Sequence, residues 1–340
     1  MKILKYFFFI VLITCIAGAI YIAVQPSSYS FERTKVINAP KELVFDMVNT
    51  YKEWPKFSPW LEQDKNATLT YNTIEKGKNS SYSWNGEVLG EGKMTTLSAY
   101  EFDSITQKIE FFKPFESNAS IKWNFKTLGN KTEVTWKMSG KQDFMTKMYT
   151  AFNGSIEENT APDFERGLFK LDSTVTSNMR AYNIKVNGVT EHSGGFYLYN
   201  STATSIDGMK PKMKQMISHL RAFVTTNNIN TSGNLFIIYH NWDMENNSVL
   251  FSCALPTSSK VVTTDATILT GQLEPFKALK TTLTGDYVNL KEAWDKSYEY
   301  IKQYNLEPKV DGIAIESYLN SPENTINPAN LKTEIFIQLN

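Results

Sequence analysis

The chain has almost no cysteine: of its 340 residues only Cys15 and Cys253 carry a thiol, and they lie far apart. That count excludes both a disulfide framework and a cysteine metal site. Histidine is nearly as scarce, and His192, His219 and His240 have no cysteine or carboxylate partner at metal-ligand spacing. Neither charge sign is in excess, since Lys plus Arg and Asp plus Glu are both 35, so nothing favours nucleic acid or an acidic surface as partner. A glycine-x-serine-x-glycine elbow is missing, as is a phosphate-binding glycine-lysine-serine loop, which leaves acyl-transfer and nucleotide chemistry without a visible basis. The glycines of Gly86-Glu87-Val88-Leu89-Gly90-Glu91-Gly92 have the wrong spacing for a dinucleotide fingerprint and suit a kinked strand or hairpin. No cofactor is implied, and no catalytic site is assembled in the sequence.

What the chain has instead is length and aromatic surface. At 340 residues it is long for one core, which sets an expectation of two domains. Aromatics are 13% of the residues, with seven tryptophans, a composition suited to large cores or apolar pockets.

The amino terminus is of another kind. Lys2 and Lys5 precede the run Tyr6 to Val24, and no charge follows until Glu32. At roughly 1.5 Å per helical residue this run is about long enough to cross a hydrocarbon core roughly 30 Å thick. A transmembrane anchor over 1–25 is the plain reading. Two alternatives are a cleaved signal peptide and a lipoprotein signal ending at Cys15, although Thr14 fits the latter poorly and the apolar run continues past Cys15. The initial lysines favour a cytoplasmic amino terminus, which puts the body on the non-cytoplasmic side (periplasm); Arg33 and Lys35 on the far side weaken that asymmetry.

From Phe31 to about Ser177 the pattern is α+β. Phe31–Ile37 predicts a strand, and Asn38-Ala39-Pro40 leads into a helix with Leu43, Val44 and Met47 on one stripe. A broken segment, Trp54-Pro55-Lys56-Phe57-Ser58-Pro59-Trp60, follows. Ile121, Trp123 and Phe125 alternate with polar residues, as do Val134, Trp136 and Met138, and Leu128-Gly129-Asn130-Lys131 joins the two runs as a hairpin. Phe164, Leu168, Leu171, Val175 and Met179 predict a long helix beginning near Ala161-Pro162-Asp163. This order resembles the START/polyketide-cyclase (SRPBCC) superfamily, the helix-grip fold, over 31–178. The resemblance implies a hydrophobic cavity between sheet and long helix, with Trp84, Phe111, Trp123, Phe125, Trp136, Phe164 and Leu168 as inward candidates.

A near-repeat begins at about Tyr182. A helix over Lys210–Thr225 and the strand Leu235–Tyr239 are echoed by a helix marked by Leu290, Ala293, Trp294, Tyr298 and Ile301 and the strand Gly312–Tyr318. Thr284-Gly285-Asp286-Tyr287, the helix with Trp294, Ile315-Glu316-Ser317-Tyr318-Leu319-Asn320-Ser321-Pro322 and Thr333–Leu339 resemble the gyrase-inhibitor-like, AraC-type effector-binding family over 182–340. That resemblance implies two pseudo-symmetric modules around an aromatic-lined pocket, with an acidic residue at the position of Glu316. Strand alternation puts Ala314, Glu316 and Tyr318 on one face. Tyr239 is the counterpart in the first module, and Trp242, Tyr197 and Trp294 are expected to supply ring faces; Glu334 is a second acid, read as structural.

The sequence therefore predicts a membrane-anchored protein that binds small, largely apolar ligands: lipids, aromatic molecules or cationic amphiphiles. A sensor role stays open, and the alternative is a hydrolase or cyclase with Glu316 as general base.

Overall fold

The computed structural model describes residues 2–340; Met1, the first residue of the expected anchor, lies outside them. The chain divides into two units, one ending at Asn178 and the other beginning at Met179.

The first unit opens with α1 (Lys2–Ala23), which has no charged residue after Lys5 and exposes nearly all its side chains. There follow β1 (Ser28–Ile37), α2 (Lys41–Asn49), a 3-10 turn over Tyr51–Lys56, α3 (Pro59–Gln63), β2 (Thr68–Tyr71), β3 (Ser81–Gly86), β4 (Gly90–Tyr100), β5 (Ser104–Lys113), β6 (Ser117–Leu128), β7 (Lys131–Lys141), α4 (Phe144–Asn153) and α5 (Ile156–Arg180). The strands form one antiparallel sheet in the order β1-β7-β6-β5-β4-β3-β2. Period-two alternation explains β6 and β7: Ile121, Trp123 and Phe125 point inward, and so do Val134, Trp136 and Met138. Leu128 pairs with Lys131 across the predicted hairpin.

The long helix buries Ala161, Phe164, Leu168, Leu171 and Val175 at helical spacing. It starts at Ile156, earlier than Ala161-Pro162-Asp163 suggests, and Pro162 lies inside it. The start is set by a reciprocal cap: Ser155 Oγ accepts from Glu158 N at 3.1 Å, and Glu158 Oε2 accepts from Ser155 N at 2.8 Å. The helix lies so close to the sheet that a Cβ on Gly167 would come within 2.7 Å of the Trp136 ring.

The second unit contains β8 (Asn183–His192), β9 (Gly195–Ser205), α6 (Met209–Thr226), β10 (Phe236–Asp243), β11 (Ser248–Thr257), β12 (Leu269–Leu273), β13 (Phe276–Thr284), α7 (Leu290–Gln303), β14 (Ala314–Tyr318) and β15 (Lys332–Gln338). These are two copies of strand-strand-helix-strand-strand. In the sheet order β12-β9-β11-β10-β14-β15-β13-β8 each copy sends its first strand to the edge beyond the other copy, and β10 meets β14 at the centre. Ile237 and Tyr239 of β10 face α6 with Met213 and Met216, whereas Phe236 and Ile238 pack on the opposite face with Ile315 and Phe336.

Candidate functional site

The central strand pair carries the one buried acid of the second unit among the described residues. Ile237 pairs with Glu316, and Tyr239 with Ala314. Two-residue periodicity then puts Tyr239, Ala314, Glu316 and Tyr318 on the helix-covered face. Glu316 is only 4% exposed. Its Oε2 accepts from the hydroxyls of Tyr239 at 2.9 Å and Tyr318 at 2.6 Å, and its Oε1 accepts from the indole Nε1 of Trp294 at 2.6 Å. One donor comes from the first module, one from the helix of the second and one from Glu316's own strand.

Burial pushes the Glu316 carboxyl above its ordinary 4.5, against the three donors that favour the ionised form. The same burial, together with the adjacent carboxylate, holds the Tyr239 and Tyr318 phenols well above 10, so both stay protonated and continue to donate. No lysine, arginine or histidine forms an ion pair with Glu316 among the described residues. The acid is hydrogen-bonded but has no cationic partner among these residues.

Rings surround it. Trp242 meets Tyr239 edge-on at 5.7 Å, Trp294 meets Tyr239 at 5.9 Å and stacks on Tyr298 at 6.1 Å, and Tyr287 meets Tyr318 at 5.2 Å. Met209 and Met213 pack on the same cluster. Trp242, 44% exposed, forms the outer lip, and the rings close over the acid. Two hollows, of about 610 and 500 Å³, lie in the first unit, bordered by Glu62–Asn66 with Asn85–Val88 and by Glu116–Ser120 with Ser139–Lys141.

Of the predicted binding residues, Glu316, Tyr318, Tyr239, Trp242 and Trp294 come together. Tyr197 does not: its ring packs on Phe236 at 5.5 Å and Tyr199 at 5.4 Å, in the cluster on the other face of the sheet. The reason lies in β9, where Leu198 packs beneath α6 and Asn200 donates to the carbonyl of Met216 at 2.9 Å, so the odd-numbered residues point away. Tyr287 and Tyr298 were missed as ring sources. Tyr298, four residues after Trp294, carried a helical-face signal, whereas Tyr287 sits on a 3-10 turn whose direction no periodicity encodes. Glu334 pairs with Lys280 at 2.7 Å, a structural role.

In the first unit Trp123, Trp136 and Phe164 form a continuous stack, with ring centroids 4.3 and 4.0 Å apart. Trp54, Trp60 and Phe31 meet this stack edge-on or tilted. Trp84 is buried against Tyr82 and Phe111, and Phe125 against Phe45. The space where the resemblance implies a cavity is occupied by the rings expected to line it. Leu168 is buried in the same interface, under the long helix. Among the described residues no cluster of His, Cys, Asp and Glu could hold a metal.

A long helix packed on an antiparallel sheet, followed by a duplicated module around a caged acid, defines an α+β chain of two units. Residues 37–169 match the model of the polyketide cyclase/dehydrase and lipid transport family, and residues 197–340 match that of the GyrI-like small molecule binding domain, in that order. No curated protein matches the chain. Among solved structures it is similar to a protein from Chromobacterium violaceum at 12% identity, covering 43% of this chain and 96% of that one with a TM-score of 0.34. It is similar to the EcmrR C-terminal domain at 13% identity, covering 47% and 98% with a TM-score of 0.38. It is also similar to the Zhui aromatase/cyclase from Streptomyces sp. R1128 at 14% identity, covering 45% and 97% with a TM-score of 0.36.

Proposed function

We propose that this protein is a membrane-tethered receptor for small cationic or aromatic amphiphiles, bound at Glu316. The supporting observation is the buried carboxylate that three neutral donors hold in place without a cation to neutralise it. Such a group stabilises a positive charge brought into its ring-lined surroundings, where cation-to-ring attraction adds about 0.5–2 kcal/mol. Entry requires the half-exposed Trp242 and Tyr298 rings to move aside, and the flexible side chains of Met209 and Met213 can repack around the guest.

The proposed division is an anchor over 1–25, a helix-grip domain over 31–178 and an effector-binding domain over 182–340. The tether rests on one helix, Ile3–Ala23, long and apolar enough to cross a membrane, with a mean hydropathy of 2.4. The lysines at its start, Lys2 and Lys5, favour placing the body on the non-cytoplasmic side. A hydrolase or cyclase using Glu316 as general base has the raised carboxyl pKa in its favour. Against it, both carboxylate oxygens are already engaged by donors.

The test compares phenyltrimethylammonium with tert-butylbenzene, its neutral isostere, by calorimetry on the detergent-solubilised chain. The cation is expected to bind the wild type at least about tenfold more tightly than it binds Glu316→Gln, a difference of about 1.4 kcal/mol. Equal binding of both compounds to both proteins would remove Glu316 as the site.

A further inference from the structure

Helix α4 is amphipathic with its faces reversed. Its lysine points inward: Lys147 is 7% exposed, and its Nζ donates to the carbonyl of Ala23 at 3.1 Å and to Ser27 Oγ at 3.0 Å. Four of its large apolar side chains point outward, Phe144, Met145, Tyr149 and Phe152 all being exposed, Phe152 at 81%, while Met148 is half-buried. Met145, Tyr149 and Phe152 follow one another at four and three residues, which makes a single stripe. A helix that faces water shows the opposite arrangement.

The lysine's partner says what the stripe faces. Ala23 is the last residue of α1, where helical carbonyls have no partner of their own and attract a cation. Lys147 thus ties α4 to the end of the apolar helix. A second apolar feature lies at this end of the sheet. The β5–β6 hairpin exposes Phe112 and, at 76%, Phe115, and the adjoining Glu116–Ser120 borders the same hollow as Asp143 and Thr146 at the start of α4. Ser28, the first residue of β1, also pairs here with Lys141. The helix exit, the outward stripe and the hairpin tip therefore share one end of the domain.

We infer that this end of the helix-grip domain is seated in the bilayer that α1 crosses, with α4 lying in the plane of the membrane interface and Phe115 dipping beside it. The inference rests on the anchor reading above. Interfacial helices bury an apolar face at the headgroup boundary, and aromatic rings favour that depth. The occupant is lipid because α4 packs against the end of the apolar helix read as crossing the bilayer, which sets the stripe at the depth where that helix leaves the membrane. Strand β6 leads away from this surface, and its twelve residues put the Leu128–Lys131 turn roughly 35–40 Å along the strand, clear of the membrane.

The test uses the full chain in a Cys15→Ala background, Cys253 being buried. Single cysteines at Ile13→Cys, Phe115→Cys, Phe152→Cys and Asn130→Cys carry an environment-sensitive fluorophore. The proteins are reconstituted into phosphatidylcholine vesicles containing nitroxide-bearing lipid. Labels at 13, 115 and 152 are expected to be blue-shifted and quenched several-fold more than the label at 130. If 115 and 152 behave like 130 while 13 is quenched, the anchor stands and this inference falls. A label at 152 that is blue-shifted yet untouched by the lipid quencher means that protein, such as a second copy, covers the stripe, which also overturns it. An unquenched label at 13 would bring down the anchor reading and the interface with it.

Discussion

Both units bury clusters of aromatic rings, but among the described residues only one cluster encloses a buried acid. In the first, Trp123, Trp136 and Phe164 stack face to face, and the indole N–H of Trp136 finds no acceptor among the described residues. In the second, the indole N–H of Trp294 donates to Glu316, and the rings meet edge-on around the acid. The same residue types thus make a filled core in one place and a ring-walled enclosure around an acid in the other. What separates them is the buried carboxylate, because its desolvation must be offset by donors and can be offset further by a cation. Ring content alone does not distinguish an enclosure around a polar group from a core.

The sharpest way to break this contrast is Trp136→Ala. Removing the middle ring of a stack whose neighbours are 4.0 and 4.3 Å away leaves a cavity that Gly167, with no side chain, cannot fill. The expected cost is about 3–5 kcal/mol to the first unit in chemical denaturation, with cation binding at Glu316 unchanged. If the variant keeps its stability and gains affinity for apolar ligands, the stack is instead a stopper in a working cavity.

Next in size is Tyr318→Phe. It deletes a 2.6 Å hydrogen bond to a buried carboxylate and leaves Oε2 with Tyr239 alone. A loss of about 1.5–3 kcal/mol is expected, measured as the denaturation midpoint of the second unit, together with a further rise in the Glu316 pKa.

Much of this was legible in the sequence because strand alternation is a strong signal. Glu316 and Tyr318 fall on one face by counting in twos, and the hairpin at Gly129 and the burial of Trp123 and Trp136 follow in the same way. Other features were hidden for identifiable reasons. Helix α4 escaped because its apolar stripe faces outward and its lysine inward, so the usual rule pointed nowhere. The start of α5 was misplaced because Pro162 is a louder signal than the Ser155/Glu158 cap. Tyr197 was misassigned because alternation within one strand does not reveal which face the two modules share.

A smaller effect tests the charge itself. Glu316's folded-state pKa is raised above 4.5 by burial, so the folded unit holds the proton more tightly than the unfolded chain does. Its stabilising contribution is therefore complete below 4.5 and is lost as the pH rises through the folded-state value. The melting temperature of the wild type is expected to fall relative to Glu316→Gln over that range. A cationic ligand should restore it most at the higher pH, where the carboxylate is ionised. Parallel pH profiles for the two proteins would mean that the acid is not shielded from water.

The smallest expected effect is the most specific. Tyr197→Phe changes a ring that touches Phe236 and Tyr199 on the face of the sheet away from Glu316, and its hydroxyl makes no contact with the cage. Cation affinity should stay within about twofold of wild type, and stability within about 0.5 kcal/mol. Tyr239→Phe, on the strand paired to Glu316, removes a 2.9 Å donor and should weaken both. Two tyrosines in one sheet would then differ only in which side of the backbone they leave. If Tyr197→Phe matched Tyr239→Phe in calorimetry, the two faces would be energetically coupled through β10, and the cage would extend through the sheet rather than end at it.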